Sequence, residues 1–375
     1  MKIVLAIDSF KDCLSSKEVE SAAEDGIRSV VPSAEVISIP ISDGGEGLLD
    51  SLIALDSDIQ RVRINTHDAL MRPLIAEYGI KSNYTAIIEM ASTCGLALLS
   101  VSERNPLNTT SFGLGEMIKD ALERGCTNLI IGIGGSATND AGIGMLKALG
   151  FDFVNSYGNH LEGIGSDLNL ISRIVLPAHI DTYNNISITI ASDVENPLFG
   201  HNGAAFVFAA QKGANTQMIC ELDEGLRHFA KIVSAVTHSN YSVDEGSGAA
   251  GGVGFAFKSF FNCNFIPGIE FMLDFAHFND RIEKADLIIT GEGKIDKQTL
   301  MGKVPIGVLK RALKKNIPVI AIAGKVEDRT EVLDKGFKDL ICINPNKISM
   351  QEAINKDYAT SRITETVRNL LERMY

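Results

Sequence analysis

The chain has 375 residues, 45% of them hydrophobic, and a formal net charge of −12. That length suits about two domains with a large core, and the acidity argues against nucleic acid or an anionic membrane surface as partner. The six cysteines and seven histidines are scattered, with no CxxC pair and no histidine pair at zinc-ligand spacing, so reduced thiols in a cytoplasmic protein are expected and a zinc site is not.

Asp8 interrupts the apolar run that starts the chain, leaving it too short for a secretory signal. Ile3 to Ile7 is therefore predicted as a first strand. Ser15-x-x-Glu18 is a capping box that opens a helix with Val19, Ala22, Ala23, Ile27, Val30 and Val31 on one face, and Pro32 ends it. Val36 to Ile41 is a second strand, demoted to an edge position by Pro40. Ser42-Asp43-Gly44-Gly45-Glu46-Gly47 then leads into a helix near Leu48 to Leu55. Arg61 to Met90 reads as short strands and turns, and Thr109 to Arg124 as a helix closed by Gly125.

Asn128 to Gly144 is the most telling stretch. Leu129 to Ile131 forms a strand that meets a turn of Gly132, Gly134 and Gly135. Ser136, Thr138, Asn139 and Asp140 then supply caps for a helix through Met145 to Leu149. A strand that ends in glycines and opens into a helix offers free N–H groups beside a positive dipole end, which suits a phosphate or carboxylate. An ordinary tight turn is the plain alternative, and the absence of Gly-Lys-Ser/Thr excludes a Walker loop.

Asp152 to Asn185 is polar and loop-rich, and Ile186 to Ala191 is a strand ending in Ser192-Asp193. Gly246 to Gly254 is a glycine-alanine run that allows close backbone approach. Leu287 to Thr290 is a strand ending in Gly291-Glu292-Gly293, followed by a helix around Val308 to Leu313 and strands at Val319 to Ala323 and Leu340 to Ile343. The last helix carries Ile363, Val367, Leu370, Leu371 and Met374 on one face. No apolar stretch approaches the ~20 residues that span a bilayer. Both ends of the chain read as pieces of one open parallel sheet, and the middle as a second compact unit. The expected architecture is α/β with two domains, residues 1–62 and 283–375 forming the discontinuous one and 63–282 the insertion, and an active-site cleft between them.

One device recurs, a carboxylate at the carboxyl end of a strand. Asp8, Asp43, Asp193, Glu292 and Asp296 all stand in such places, as do Asn139 and Asp140. Strand ends of a parallel sheet share an edge, so acids distant in sequence can converge. Convergent carboxylates repel unless a cation neutralises them or some are protonated, and Mg²⁺ takes one or two carboxylates together with substrate phosphates. Lys11, Lys294 and Lys303 sit in the same turns. Acids, lysines and amide-rich turns are the equipment of phosphoryl transfer. Taken singly, most of these residues are as readily caps or solvated charges.

Several segments together resemble the type I glycerate kinases. They are Ala6-Ile7-Asp8-Ser9-Phe10-Lys11, the Ser42–Gly47 run, Thr109-Thr110-Ser111-Phe112-Gly113-Leu114-Gly115-Glu116 and Gly132–Asp140. Asp193-Val194-Glu195-Asn196-Pro197-Leu198, Gln211-Lys212-Gly213-Ala214, Gly248–Gly252, Thr290–Asp296 and Gly302-Lys303-Val304-Pro305 follow in family order. The resemblance implies ATP-dependent phosphorylation of D-glycerate, with 2-phosphoglycerate favoured over 3-phosphoglycerate. It also implies a discontinuous three-layer α/β/α first domain with an inserted flavodoxin-like second domain. Asp12-Cys13, Ala141 and Phe112 depart from the family pattern.

Carried onto these motifs, Gly134, Gly135, Ser136 and Asn139, with Gly44 and Gly45, would cradle ATP phosphates. Asp43 and Asp296 would hold Mg²⁺. Asp193 would take the glycerate hydroxyl proton, with Asp8 its rival, and Lys11 and Lys303 would neutralise the migrating phosphoryl group. A homo-oligomer is an open expectation. Two other readings compete. Gly132-x-Gly134-x-x-Ala137 formally fits a dinucleotide fingerprint, hence an NAD(P)-dependent oxidoreductase of a small hydroxyacid, but Asp152 comes too early for the acid that closes the next strand. A non-catalytic two-lobed anion-binding protein is the other, and the surplus of carboxylates suits it less.

Overall fold

The computed structural model describes residues 1–11, 13–345 and 348–374, so Asp12, one of the departures from the family pattern, lies outside it. Among the described residues the strands are β1 (Lys2–Ile7), β2 (Glu35–Ser38), β3 (Gln60–His67), β4 (Pro73–Lys81), β5 (Thr85–Glu89), β6 (Asn128–Gly132), β7 (Asp152–Asn155), β8 (Ile171–Val175), β9 (Ser187–Ala191), β10 (Cys263–Ile266), β11 (Leu287–Ile295), β12 (Val319–Val326) and β13 (Asp339–Cys342). By internal contacts the chain divides into Met1–Ser57 with Pro267–Tyr375, and Asp58–Ile266. Both joins fall earlier in the chain than residues 62/63 and 282/283.

The discontinuous unit is built on a fully parallel sheet in the order β13-β12-β11-β1-β2. Its three central strands are buried along most of their length, as strands covered on both faces must be. On one face Ile3, Leu5, Ile7, Ile289 and Ile322 pack with Val19, Ala23 and Ile27 of the Ser16–Val30 helix and Ile363, Val367 and Leu371 of the Lys356–Met374 helix. The Val304–Leu313 helix packs on β11, β1 and β12, making three layers. The Ser15 box forms as expected: its hydroxyl accepts from the Glu18 N–H at 3.3 Å, and Glu18 accepts from the Ser15 N–H at 2.8 Å. β2 is an edge strand that stops at Ser38, before Pro40.

From β1 the chain runs to β2 on one side, and β11 lies on the other. In the unit's own numbering this is the order 2-1-3-4-5 of flavodoxin, whose ligand crevice lies where the direction reverses, at the carboxyl ends of β1 and its other neighbour. β11 does not end at Gly291 but runs through the glycines to Ile295, pairing Glu292 with Ala323 and Lys294 with Lys325. A Cβ on Gly291 would stand 2.1 Å from the Ile322 carbonyl oxygen, so that glycine serves close strand approach rather than a turn.

The inserted unit has a six-stranded mixed sheet in which β3, β4, β5, β6, β9 and β10 lie in chain order. The β3–β4 and β4–β5 pairs are antiparallel, and the rest are parallel. β7 and β8 form a separate antiparallel pair inside the polar stretch. The Thr216–Thr237 helix presents Leu222, Leu226, Phe229 and Val233 to the core at helical spacing, and Asn215 caps it by accepting from the Met218 N–H at 3.0 Å. No helix among the described residues is long and apolar enough to cross a membrane.

Candidate active site

In the discontinuous unit the parallel register sets the end of β1 against the middle of β11. Ile7 pairs with Gly291, and the Asp8 N–H donates to the Gly291 carbonyl at 2.9 Å. Asp8 therefore lies beside Glu292. Asp43 follows β2 in a turn closed by the Gly45 N–H, which donates to its Oδ1 at 3.1 Å, with Gly44 at φ +86°. Burial raises the Asp8 carboxyl well above its ordinary range, and the neighbouring charges of Asp43 and Glu292 push it further. The Ser9 N–H on its Oδ1 at 2.7 Å and the Lys303 charge oppose the rise.

Glu292 is buried and raised, chiefly by desolvation. It accepts from the Thr299 hydroxyl at 2.5 Å and from Lys303 Nζ at 3.1 Å. Three carboxylates and one lysine from four separate segments thus share one sheet edge. Glu292, not among the residues assigned a role from sequence, is the one that joins Lys303 to the cluster.

Asp296 is used differently. It caps the Lys297–Met301 turn by accepting from the Gln298 N–H at 2.8 Å, and its other oxygen meets Lys294 Nζ at 2.9 Å. Burial pushes its carboxyl up, but these hydrogen bonds win and hold it below the ordinary range. Lys294 also pairs with Glu327 at 2.8 Å. Lys11 is exposed, and its backbone passes beside Gly293. Among the described residues no group of three or more His, Cys, Asp or Glu is gathered to hold a metal ion by side chains alone.

In the inserted unit the turn after β6 is longer than the sequence pattern implies. The Ile143–Ala148 helix starts after Gly142 at φ +75°, and no side chain caps it at that residue. Ser136 and Asn139 therefore stand in a folded loop and not on a helix end, and the dipole argument does not reach them. Gly134 is half-buried, Gly135 exposed at φ +71°, and Ser136 to Asp140 buried. Asp140 organises the loop. Its carboxylate accepts from the Ser111 N–H (2.8 Å), the Ser111 hydroxyl (2.7 Å), the Gly142 N–H (3.1 Å) and the Gly144 N–H (3.2 Å). The Ser111 hydroxyl in turn accepts from the Met145 N–H at 2.9 Å. Ser111→Ala should cost roughly 2 kcal/mol, because it removes one donor from a buried carboxylate and leaves a buried N–H unpaired. Urea unfolding checks this, and a loss under about 0.5 kcal/mol would mean that the network does not hold the loop.

Asp193 lies half-buried after β9, the parallel neighbour of β6, with Gly132 opposite Ala191. The glycine run packs against both strand-end turns. The Gly248 N–H donates to the Asn196 carbonyl at 2.8 Å, and the Ala141 N–H to the Gly251 carbonyl at 2.9 Å. Ala141 adopts φ +51°, which explains why glycine suits that position. Gly134, Gly135, Ser136, Asn139 and Asp193 thus gather at one edge of this sheet. The dinucleotide fingerprint does not: β7, the next strand after the glycines, pairs antiparallel with β8 outside the main sheet, so the parallel unit that fingerprint requires is absent there.

Comparison with known proteins agrees with the motif order. The profile of the glycerate kinase family matches residues 3–375. A glycerate kinase of Bacillus cereus is 43% identical over 99% of this chain and 97% of its own length. A glycerate 2-kinase of Escherichia coli K12 is 43% identical over 91% of this chain and 90% of its own. A solved crystal structure provisionally named glycerate kinase 2, from Salmonella typhimurium LT2, superposes with a TM-score of 0.83 at 38% identity, covering 100% of this chain and 98% of that one. The chain belongs to the glycerate kinase family, a family of phosphotransferases.

Proposed function

We propose that this protein transfers the γ-phosphoryl group of ATP to D-glycerate in a Mg²⁺-dependent reaction, giving 2-phosphoglycerate. The observation that carries this reading is the meeting of Asp8, Asp43, Glu292 and Lys303 at the reversal point of a 2-1-3-4-5 sheet, in a chain 43% identical to a glycerate 2-kinase. Bound there, Mg²⁺ would offset the mutual repulsion of the acids and the charge of the phosphates. Asp43, with Asp8 beside it, fits that ion better than Asp296, whose oxygens are taken by Lys294 and Gln298. The donor set is one or two carboxylates with substrate phosphates completing the shell, which is how Mg²⁺ is commonly held.

The remaining roles fall to single residues. Gly134, Gly135, Ser136 and Asn139 line the loop that would receive the nucleotide phosphates, and Gly44 and Gly45 would shape the turn that carries Asp43 toward them, their own N–H groups being bonded to Ser42 and Asp43. Lys303 and Lys11 place positive charge near the transferred group. Asp193 takes the proton of the acceptor hydroxyl, because Asp8 is committed to the carboxylate cluster. We take the two compact units as the domains, and a cytoplasmic location, which six unpaired cysteines suit. Phosphorus NMR of the product made from Mg·ATP and D-glycerate tests the reading. A 2-phosphoglycerate resonance is expected. No phosphoglycerate at all would overturn the activity, and 3-phosphoglycerate would overturn the regiochemistry alone.

A further inference from the structure

Lys212 has no role in the function described so far, yet it is a costly side chain to place. It ends the short Ala210–Lys212 turn and is only 3% exposed. Its ammonium donates to the Ser136 hydroxyl at 2.9 Å and to the Thr138 carbonyl at 2.7 Å. Neither acceptor carries a charge. Burial pushes its pKa down to about 7, and the charge of Asp140 only partly restores it. A buried cation without a paired anion is expensive, and a methionine of similar length would fill the space without that cost.

The loop that Lys212 grips is itself unfinished. Asn139 is fully buried, and neither its Oδ1 nor its Nδ2 has a partner among the described residues. The adjacent Thr138 hydroxyl also lacks one. Native interiors pair nearly all such atoms. Three unpaired polar atoms on two consecutive residues, beside a cation held by two neutral oxygens, mark a loop shaped for something other than its own stability.

We propose that Lys212 is a positioning residue that holds the Ser136–Asn139 loop in the conformation that receives the phosphates of the donor nucleotide. The inference rests on the reading of that loop as the nucleotide cradle. Lys212 acts through Ser136 and the Thr138 carbonyl. Its two hydrogen bonds hold the Ser136 side chain and the Thr138 backbone, on either side of Ala137, and leave the Asn139 amide free to bond a ligand.

The test uses the full chain with Lys212→Met, Ser136→Ala and the double variant. Lys212→Met should exchange its amide hydrogens at least ten-fold faster across residues 134–140, with the rest of the inserted unit unchanged. By calorimetry it should bind Mg·ADP at least ten-fold more weakly and D-glycerate within two-fold of the parent. Adding Ser136→Ala to Lys212→Met should cost little more, because the two residues act as one unit. Unchanged exchange with unchanged Mg·ADP affinity overturns the proposal, and so does an equal loss for both ligands. If Lys212→Met does not fold, Lys212→Gln, which keeps an uncharged NH2 donor, carries the same comparison. Failure of both to fold also counts against it, since Lys212 would then be a determinant of folding. If the parent binds no Mg·ADP, the nucleotide reading itself has failed, and the exchange arm still decides whether Lys212 orders the loop.

Discussion

Asp8→Asn should make the protein more stable and nearly inactive. Asp8 is held well above the ordinary carboxylate range, first by burial and then by the charges of Asp43 and Glu292. A carboxyl with a raised folded-state pKa binds protons more tightly in the folded state than in the unfolded one. Its favourable contribution is fully present at acid pH and is lost as pH rises through the folded value. Above that folded value the ionised Asp8 works against folding, and a neutral asparagine of the same shape relieves it. The expected gain is about 0.5–2 kcal/mol, the range common for a single stabilising substitution. Activity should fall by about a thousand-fold, because one carboxylate of the group that organises charge in the transition state is gone.

The pH dependence separates this explanation from a packing effect. The stability difference between Asp8→Asn and the parent should be largest above the raised pKa of Asp8. It should vanish toward acid pH, where the parent side chain is also neutral. Added Mg²⁺ should narrow the difference above the raised pKa, since the ionised parent gains a counter-charge that the variant needs less. Asp296→Asn should behave oppositely. It removes the Lys294 pair and should lower stability, by under about 1 kcal/mol because the lysine is exposed, and it should leave the Mg²⁺ requirement in place. Thermal melts across pH and Mg²⁺ concentration check both. A lower melting temperature for Asp8→Asn would show that its carboxylate is satisfied within the fold.

Gly251→Ala is expected to be severely damaging to the inserted unit. Gly251 sits at φ +66°, and an added Cβ would lie 2.2 Å from the Thr138 carbonyl oxygen and 2.6 Å from the Asn139 Cα. The left-handed backbone alone costs an alanine about 1–2 kcal/mol. The contact adds more, because the opposing atoms are backbone and the Gly251 carbonyl is bonded to Ala141 on the same approach. A total near 3–5 kcal/mol is expected, with Mg·ADP affinity lost as the 138–139 backbone is pushed away. Gly158→Ala is the control. It has φ +85° but nothing within 4 Å of the added Cβ, so it should show the backbone cost alone. Chemical unfolding of both variants, with calorimetry, measures the difference. Equal losses would mean that the two loops are not pressed together.

The residues that sequence pattern placed well are those whose structure is set within a few positions. The Ser15–Glu18 box, the strand at Leu129 to Ile131 and the helix closed by Gly125 depend on neighbours along the chain. The 22-residue Thr216–Thr237 helix, absent from the elements expected from sequence, carries the same kind of local signal in Asn215 before Ile219, Leu222, Leu226, Phe229 and Val233. Where glycines were the signal, pattern was a poorer guide. Gly291 looks like the end of a strand, but it lets β11 continue past β12, a reason that exists only once the two strands lie side by side. Asp296 and Glu292 look alike as acids in one turn. One is spent on a cap and on Lys294, and the other reaches Lys303 beneath it.

By itself the sequence determined the α/β class, the placing of acids and glycines at strand ends, and the motif order that marks the family. Each of these is local or additive along the chain. Tertiary structure alone decided the order of strands in each sheet, the partners of the carboxylates and the burial of Lys212. Those depend on contacts between segments far apart in the chain, such as the Thr290 hydroxyl on the Ala6 carbonyl 284 residues away, and on how far each charge is removed from water. A lysine's place in the sequence is no measure of its distance from solvent, so the cost that marks Lys212 becomes visible only when the chain has closed around it.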